Sequence, residues 1–269
     1  MDLSSIPSGQ QHRSDARILN QRSLERDFRR LAGLLRPGMS VLDVGCGTGA
    51  ITVGIARQAG PSGRVVGVDR DESLLAIARA EHGSRANLSF LAADVLAFTF
   101  DSEFDIAASA RTLQWVGDPG RAIAGMARSV KTGGHLVVLD YCHALSRWEP
   151  EPPPEFLKFY SAFLAWREAN GWRNRFGDEL PALFAAAGLR AIETRIDDEI
   201  VEREEPDFDR SAAIWTNSIE SIGHSLIAGE FWTEADRQET LASYKRYVSS
   251  DLRRQSLAMR SVVGTRASN

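Results

Sequence analysis

Apolar positions at Ile18, Leu24, Phe28, Leu31, Leu34 and Leu35 recur at roughly helical spacing and predict a helical N-terminal segment that Pro37-Gly38 ends. Short apolar runs then alternate with longer helical windows, the pattern of βαβ units and a parallel sheet. Five strands are expected at Ser40–Asp43, Arg64–Val68, Leu88–Ala92, Phe104–Ala108 and His135–Leu139, each short and bounded by turn residues or charge. Helices are expected from Thr48 to about Ala59, from Asp71 to about Glu81, and after Asp118, where an aspartate N-cap precedes Pro119. Lys131-Thr132-Gly133-Gly134 closes that third helix and turns into the fifth strand.

The second half reads differently. Glu149-Pro150-Glu151-Pro152-Pro153-Pro154 can continue neither a helix nor a central strand and marks a break. After it, Phe156, Phe159, Tyr160, Phe163 and Trp166 line one helix face with rings, a stripe that suits either core packing or the roof of a ligand pocket. A helix at Asp178–Ala187 stops at Gly188, Ala191–Ile200 reads as a sixth strand, and Asp197–Asp209, with eight acidic residues and one arginine, as a solvated connection. Further helices are expected at Phe208–Ala228 and Thr233–Asp251, the latter opened by the capping pattern Thr233-Glu234-Ala235-Asp236, and Ser256–Thr265 supplies a last strand.

Composition acts mainly by exclusion. The 269 residues are 43% hydrophobic and 25% charged, enough to bury a core, and 36 acidic against 32 basic residues leave no global positive field for a phosphate backbone, so no nucleic-acid partner is expected. Two cysteines, Cys46 and Cys142, fit a reducing compartment rather than a disulfide framework. Residues 1–16 read as a loose start, Met1 to Arg17 is polar and has no apolar stretch of a secretory signal, and no apolar run is long enough for a membrane span; a cytoplasmic protein is expected.

The chemistry concentrates in Val41-Leu42-Asp43-Val44-Gly45-Cys46-Gly47-Thr48-Gly49-Ala50, a strand ending in a glycine-rich turn that opens a helix, where open α/β sheets bind nucleotide-like ligands. Gly45-x-Gly47-x-x-Ala50 also satisfies the dinucleotide fingerprint, so the glycines alone do not choose a cofactor. Asp43 discriminates. A carboxylate two residues before the first glycine repels a pyrophosphate and favours a ligand carrying ammonium and sulfonium charge, such as S-adenosylmethionine. Asp69 ends the second strand at about the spacing from the glycines, roughly 20 residues, at which a carboxylate accepts ribose hydroxyls, a feature shared with NAD enzymes. Asp94 follows the third strand, where a carboxylate can accept the adenine amino group while the N–H of Val95 reaches a ring nitrogen. NAD sites do not require it.

On these residues the chain resembles the class I S-adenosylmethionine-dependent methyltransferases, especially the small-molecule branch with the quinone-biosynthesis C-methyltransferases. The resemblance runs from about Leu34 to Asp140, through the glycine turn, Val68-Asp69, Ala93-Asp94-Val95, Phe104-Asp105 and Ala110-Arg111-Thr112-Leu113-Gln114-Trp115. It continues into Arg128-Ser129-Val130-Lys131-Thr132-Gly133-Gly134, with Thr132 where proline is common, and more weakly into the tail from Gly177. It implies an α/β fold, a doubly wound, Rossmann-like, mostly parallel seven-stranded sheet with its last strand antiparallel, plus an inserted helical cap. The expected organisation is an N-terminal helical segment 1–36, a cofactor-binding core 37–141 continued at 177–205, cap insertions 142–176 and 206–252, and a final core strand in 253–269. Gly45, Gly47 and Gly49 are then expected against the methionine portion, Asp69 at the ribose, Asp94 and Val95 at the adenine, and Ala110 and Arg111 near the methionine and the transferable methyl, with Asp43, Cys46 and Arg70 as further cofactor-binding candidates. The product would be S-adenosylhomocysteine.

Methyl transfer from a sulfonium is an in-line displacement that positioning alone can accelerate strongly, so a base is optional. His143, just after the fifth strand, is the first candidate base for a phenol or amine acceptor, or else a loop histidine bonded to backbone; His224 is the second. His12, His82 and His135 attract no functional argument. Tyr141, Trp148, Tyr160, Trp172 and Trp215 with His224 are candidate contacts to a hydrophobic or aromatic small-molecule acceptor bound under the cap. No Asp/Asn-Pro-Pro-Tyr/Phe string of base-modifying enzymes occurs and no metal-ligand set is assigned. Two rival readings stay open: an NAD-dependent oxidoreductase, which leaves Asp43 and Asp94 unexplained and lacks a Tyr-x-x-x-Lys spacing, and a non-catalytic S-adenosylmethionine-binding sensor or partner subunit. The acceptor's identity and the oligomeric state are not encoded in any motif.

Overall fold

The N-terminal apolar positions do not form one helix. Asp27 accepts the N–H of Ser23 at 2.7 Å, and Phe28 adopts φ −147°, so the chain breaks into α1 (Ala16–Leu19), α2 (Leu24–Asp27) and α3 (Arg29–Leu34). The computed structural model of the chain describes residues 15–97 and 99–267; His12 and most of the expected loose start lie outside the described residues. From Ser40 the expected alternation appears: β1 (Ser40–Val44), α4 (Thr52–Ala59), β2 (Arg64–Asp69), α5 (Glu72–His82), β3 (Leu88–Ala92), β4 (Phe104–Ala110), a 3-10 turn at Leu113–Trp115, α6 (Pro119–Ser129) and β5 (Val130–Tyr141). Asp118 caps α6 as expected, accepting the Arg121 N–H, and Asp71, expected as the first residue of its helix, caps α5 by accepting the Ser73 N–H. β5 starts earlier than expected because Val130 already pairs with Phe104, and the Lys131–Gly134 stretch is absorbed as a register shift in the pairing. Then follow β6 (Arg147–Glu149), α7 (Pro154–Ala169), α8 (Phe176–Ala186), β7 (Leu189–Ile196), β8 (Glu199–Glu202), α9 (Phe208–Ala228), α10 (Glu234–Ser250), β9 (Arg254–Leu257) and β10 (Met259–Arg266).

These elements form two units. The first comprises Ala16–Cys142, Arg175–Asp197 and the strand from Met259. Its seven-stranded sheet has the order β3-β2-β1-β4-β5-β10-β7, with parallel pairs from β3 to β5 and antiparallel pairing of β10 to both β5 and β7. This is the doubly wound, Rossmann-like fold with a single reversed strand. Because helices cover both faces, the central strands are apolar on both sides. Leu42, Val44, Val66, Val68, Ala107, Leu136 and Val138 pack toward Ile123 and Met126 of α6 and Leu180 and Phe184 of α8. Strand order reverses at β1, the point where such sheets open a crevice beyond their carboxyl ends.

The second unit comprises His143–Asn174 and Asp198–Ala258. It holds α7, α9 and α10 beside a three-stranded antiparallel sheet, β6-β9-β8. Here two sequence expectations are corrected. The single strand expected at Ala191–Ile200 is two strands, β7 in the large sheet and β8 in the small one, and the run Ser256–Thr265 divides likewise into β9 and β10. The stretches 198–205 and 253–258, assigned from sequence to the core, therefore belong to the second unit, and part of the acidic connection is paired strand.

The aromatic stripe of α7 is the interior of this unit. Trp215 on α9 lies with its ring centroid 5.1 Å from Tyr160, 5.7 Å from Phe163 and 6.0 Å from both Trp148 and Phe156, mostly edge-on, while Phe156 stacks on Tyr244 at 4.4 Å. Buried Gln255 ties the rings to the small sheet: its Oε1 accepts the Trp148 indole N–H at 3.1 Å and the Tyr244 hydroxyl at 3.2 Å. No helix among the described residues is long and apolar enough to cross a membrane.

Candidate functional site

Beyond the carboxyl end of β1 the chain turns on Gly45, Gly47 and Gly49, with φ of +77°, +53° and +77°, a left-handed path that L side chains disfavour. At Gly45 space is also lacking, since a Cβ there would lie 2.2 Å from the Thr112 Oγ1. The N–H groups of Gly45 and Cys46 both donate to the Val68 carbonyl, at 2.8 and 3.0 Å, which folds the loop against the end of β2. The helix expected from Thr48 begins only at Thr52, because the left-handed Gly49 has to be passed before helical geometry can start.

The carboxylates at the strand ends are differently engaged. Asp43, 4% exposed, accepts the Thr52 hydroxyl at 2.7 Å. Burial pushes its carboxyl up to about 6; the Thr52 hydrogen bond opposes that shift and the charge of Asp69 adds to it. Asp69 is half-buried and accepts two backbone N–H groups, Gly47 at 2.8 Å and Asp71 at 2.9 Å, so one side chain shapes the glycine loop and the start of the next helix. Arg70 follows it on the surface. Asp94 is exposed in a turn, where its Oδ1 accepts the Leu96 N–H at 2.9 Å, with Val95 half-buried beside it. The Cys46 thiol, at the cavity wall, is held well above its ordinary range by burial and then by the charges of Asp43 and Asp69.

After β4, Arg111 takes a left-handed φ of +59° and donates its N–H to Leu139 at 2.7 Å. Its guanidinium is buried: Nε donates to the Tyr141 hydroxyl at 3.2 Å, one terminal nitrogen donates to the Asp27 carbonyl at 3.1 Å, and another lies 3.8 Å from the Asp27 carboxylate. Tyr141 thus sits at the same strand ends as Ala110 and Arg111. Asp140, fully buried, accepts the N–H groups of Gln114 at 3.1 Å and Tyr141 at 3.0 Å.

A cavity of about 30 Å³ is enclosed by the glycine loop, Asp43, Thr48 and Ala110 on one side and by Leu19 and Arg22 on the other. Sequence reasoning brought Asp43, the loop and Ala110 together but missed Leu19, Arg22, Asp27, Thr48 and Thr52. The last two carry hydroxyls near the start of the expected helix, where threonine is ordinary, so no local signal marks them.

The loop suits the adenosyl ligand on two grounds. Thr48 Oγ1 is buried in the cavity wall with no hydrogen-bond partner, a donor left for a ligand to satisfy, and the left-handed Gly45 lines the same cavity without a side chain. Gly45, Gly47, Thr48, Asp43 and Asp69 are the residues that would hold it.

The other candidates lie in the second unit. His143 is buried, its ring edge-on to Phe163 at 5.2 Å and its carbonyl accepting the Tyr160 hydroxyl at 2.7 Å. Trp148, Tyr160 and Trp215 belong to the ring cluster, Trp172 packs on Trp166 at 5.1 Å, and His224 is exposed on α9.

Comparison with known proteins adds independent findings. The ubiquinone/menaquinone biosynthesis C-methyltransferase UbiE of Hahella chejuensis is 39% identical over 111 residues, 40% of this chain and 45% of that protein. The demethylmenaquinone methyltransferase of Staphylococcus carnosus is 27% identical over 60% of this chain and 72% of its own length. The chain spans about half the length of the first of these relatives. Among solved structures, the YcgJ protein of Bacillus subtilis superposes with a TM-score of 0.57 at 17% identity, over 90% of this chain and 97% of that one, a likeness of fold. The sequence profile described as a methyltransferase domain matches residues 35–169, half of the chain, from before β1 to the end of α7. By that match the chain belongs to the methyltransferase domain family.

Proposed function

We propose that the protein is an S-adenosylmethionine-dependent methyltransferase that methylates an O, N or C nucleophile of a small hydrophobic or aromatic molecule. The observation that carries this reading is the buried carboxylate of Asp43 under the glycine loop, beside the unpartnered Thr48 hydroxyl. A pyrophosphate finds repulsion there, and a cationic methionine end finds attraction. When bound, the cofactor supplies an electrophilic methyl group on a positively charged sulfur. The chain's part is to hold and orient: Asp69 keeps Gly47 and Asp71 in place while offering its oxygens to ribose, Asp94 and Val95 face adenine, and the glycines admit the methionine chain. The names of the relatives, from ubiquinone and menaquinone biosynthesis, favour a carbon acceptor on a quinone-like ring. His143 is the proposed proton acceptor.

Calorimetric titration of the purified chain with S-adenosylmethionine, S-adenosylhomocysteine and NAD tests the cofactor. Micromolar binding of the adenosyl ligands without an NAD signal is expected; binding of NAD alone turns the reading to an oxidoreductase. Product analysis with quinol, phenol and amine acceptors then separates an enzyme from a non-catalytic binding protein. His143→Gln should lower turnover while leaving S-adenosylhomocysteine affinity intact, and unchanged turnover at every pH removes it as the base.

A further inference from the structure

We infer that Arg22, on the N-terminal segment outside the matched methyltransferase region, provides the cationic contact for the carboxylate at the methionine end of the cofactor. The inference rests on the cofactor reading above. The methionine end carries one negative charge beside its ammonium and sulfonium. The loop that receives it is flanked by two carboxylates, Asp43 in the cavity wall and Asp69 on the Gly47 amide, so a ligand carboxylate there needs a cation. Arg22 is the one cationic side chain among the described residues enclosing the cavity.

Its placement is fixed by the chain around it. The Arg22 N–H donates to the Leu19 carbonyl at 3.1 Å, closing the turn that carries both side chains over the loop. Leu19 covers the bare face of Gly47, where a Cβ would lie 2.7 Å from its Cδ1. On the other side the segment is anchored: Leu24 is fully buried against Gly54 of α4, and Asp27 is held by Arg111. α1 buries none of its own residues, so Leu19 can give way to a ligand while Leu24 and Asp27 keep Arg22 at the cavity. A guanidinium matches a carboxylate in a way that few other side chains can.

The test compares ligands that differ at the carboxylate alone or at the whole amino-acid end. S-adenosylmethionine, its decarboxylated form and methylthioadenosine are titrated into the full chain and into Arg22→Gln and Arg22→Lys. Arg22→Gln is expected to weaken S-adenosylmethionine about tenfold or more and leave the decarboxylated ligand and methylthioadenosine within about twofold, with Arg22→Lys recovering part of the loss. Equal weakening of all three ligands overturns the inference, because it marks general damage to the segment. No weakening of S-adenosylmethionine also overturns it, since backbone amides of the loop then hold the carboxylate alone. If the unaltered chain binds no adenosyl ligand at all, the cofactor reading itself has failed, an outcome distinct from either.

Discussion

At the carboxyl ends of β1 and β2 the carboxylates hold the loop and the helices that follow: Asp69 accepts the backbone N–H groups of Gly47 and Asp71, and Asp43, buried, accepts the hydroxyl of Thr52. In the second unit the side chains hold one another, with Trp215 among four rings on α7 and Trp148 of β6. The first arrangement leaves a buried hydroxyl without a partner in the wall of a cavity, whereas the second is a packed interior of rings. A loop shaped by carboxylates should fail in binding when altered, and a ring cluster should fail in stability.

That contrast can be broken in four ways. Asp69→Ala removes the acceptor of two loop amides along with the proposed ribose contact, and is expected to abolish measurable binding of S-adenosylhomocysteine by calorimetry; retained affinity would sink the site assignment. Gly45→Ala places a methyl group against Thr112 on a left-handed backbone, and a loss of about 10² in affinity is expected from the combined clash and strain. The double variant with Thr112→Ala should recover the steric share only. Trp215→Ala should cost about 3–5 kcal/mol of stability in denaturant unfolding while leaving S-adenosylhomocysteine affinity within about twofold. A large affinity loss in that variant would mean that the two regions are not separable.

The smallest expected effect is the pH dependence of Asp43. Its carboxyl is raised from an ordinary 3.8 to about 6 in the folded chain, so between these values the native state holds a proton that the unfolded chain has released. This contribution favours folding at low pH and is lost as the pH rises through 6; the stability difference between wild type and Asp43→Asn should shift in that sense across the window. Ligand binding runs the other way. An ionised Asp43 favours the sulfonium of S-adenosylmethionine over the neutral sulfide of S-adenosylhomocysteine, so the affinity of the former should fall relative to that of the latter as the pH drops below about 6. A constant ratio of the two affinities would show that Asp43 does not face the sulfonium.

The strands, the glycine turn and the carboxylates after β1, β2 and β3 were legible because each is written within a few consecutive residues. Period-two and period-3.6 patterns reach no further than that. Thr52 meeting Asp43 requires the loop to fold back over nine residues, and Arg111 meeting Asp27 requires a pairing across 84. The division of Ala191–Ile200 into strands of two different sheets is likewise invisible locally, since both halves alternate acceptably and only the partners differ. The rings of α7 announced a buried face at Phe156, Phe159, Tyr160 and Phe163, but what they would be buried against, Trp215 and Tyr244, lies more than fifty residues on.

The position of β10 bears on how the sheet is made. It lies between β5 and β7 and pairs with both, yet it is synthesised after both and after residues 143–174 and 198–258 of the second unit. Until it emerges, β5 presents an open row of amides and carbonyls, and β7 has no partner in the sheet. The nascent chain therefore passes through a stage with two strand edges unpaired, and truncation before Met259 would make that stage permanent, with aggregation as its mark.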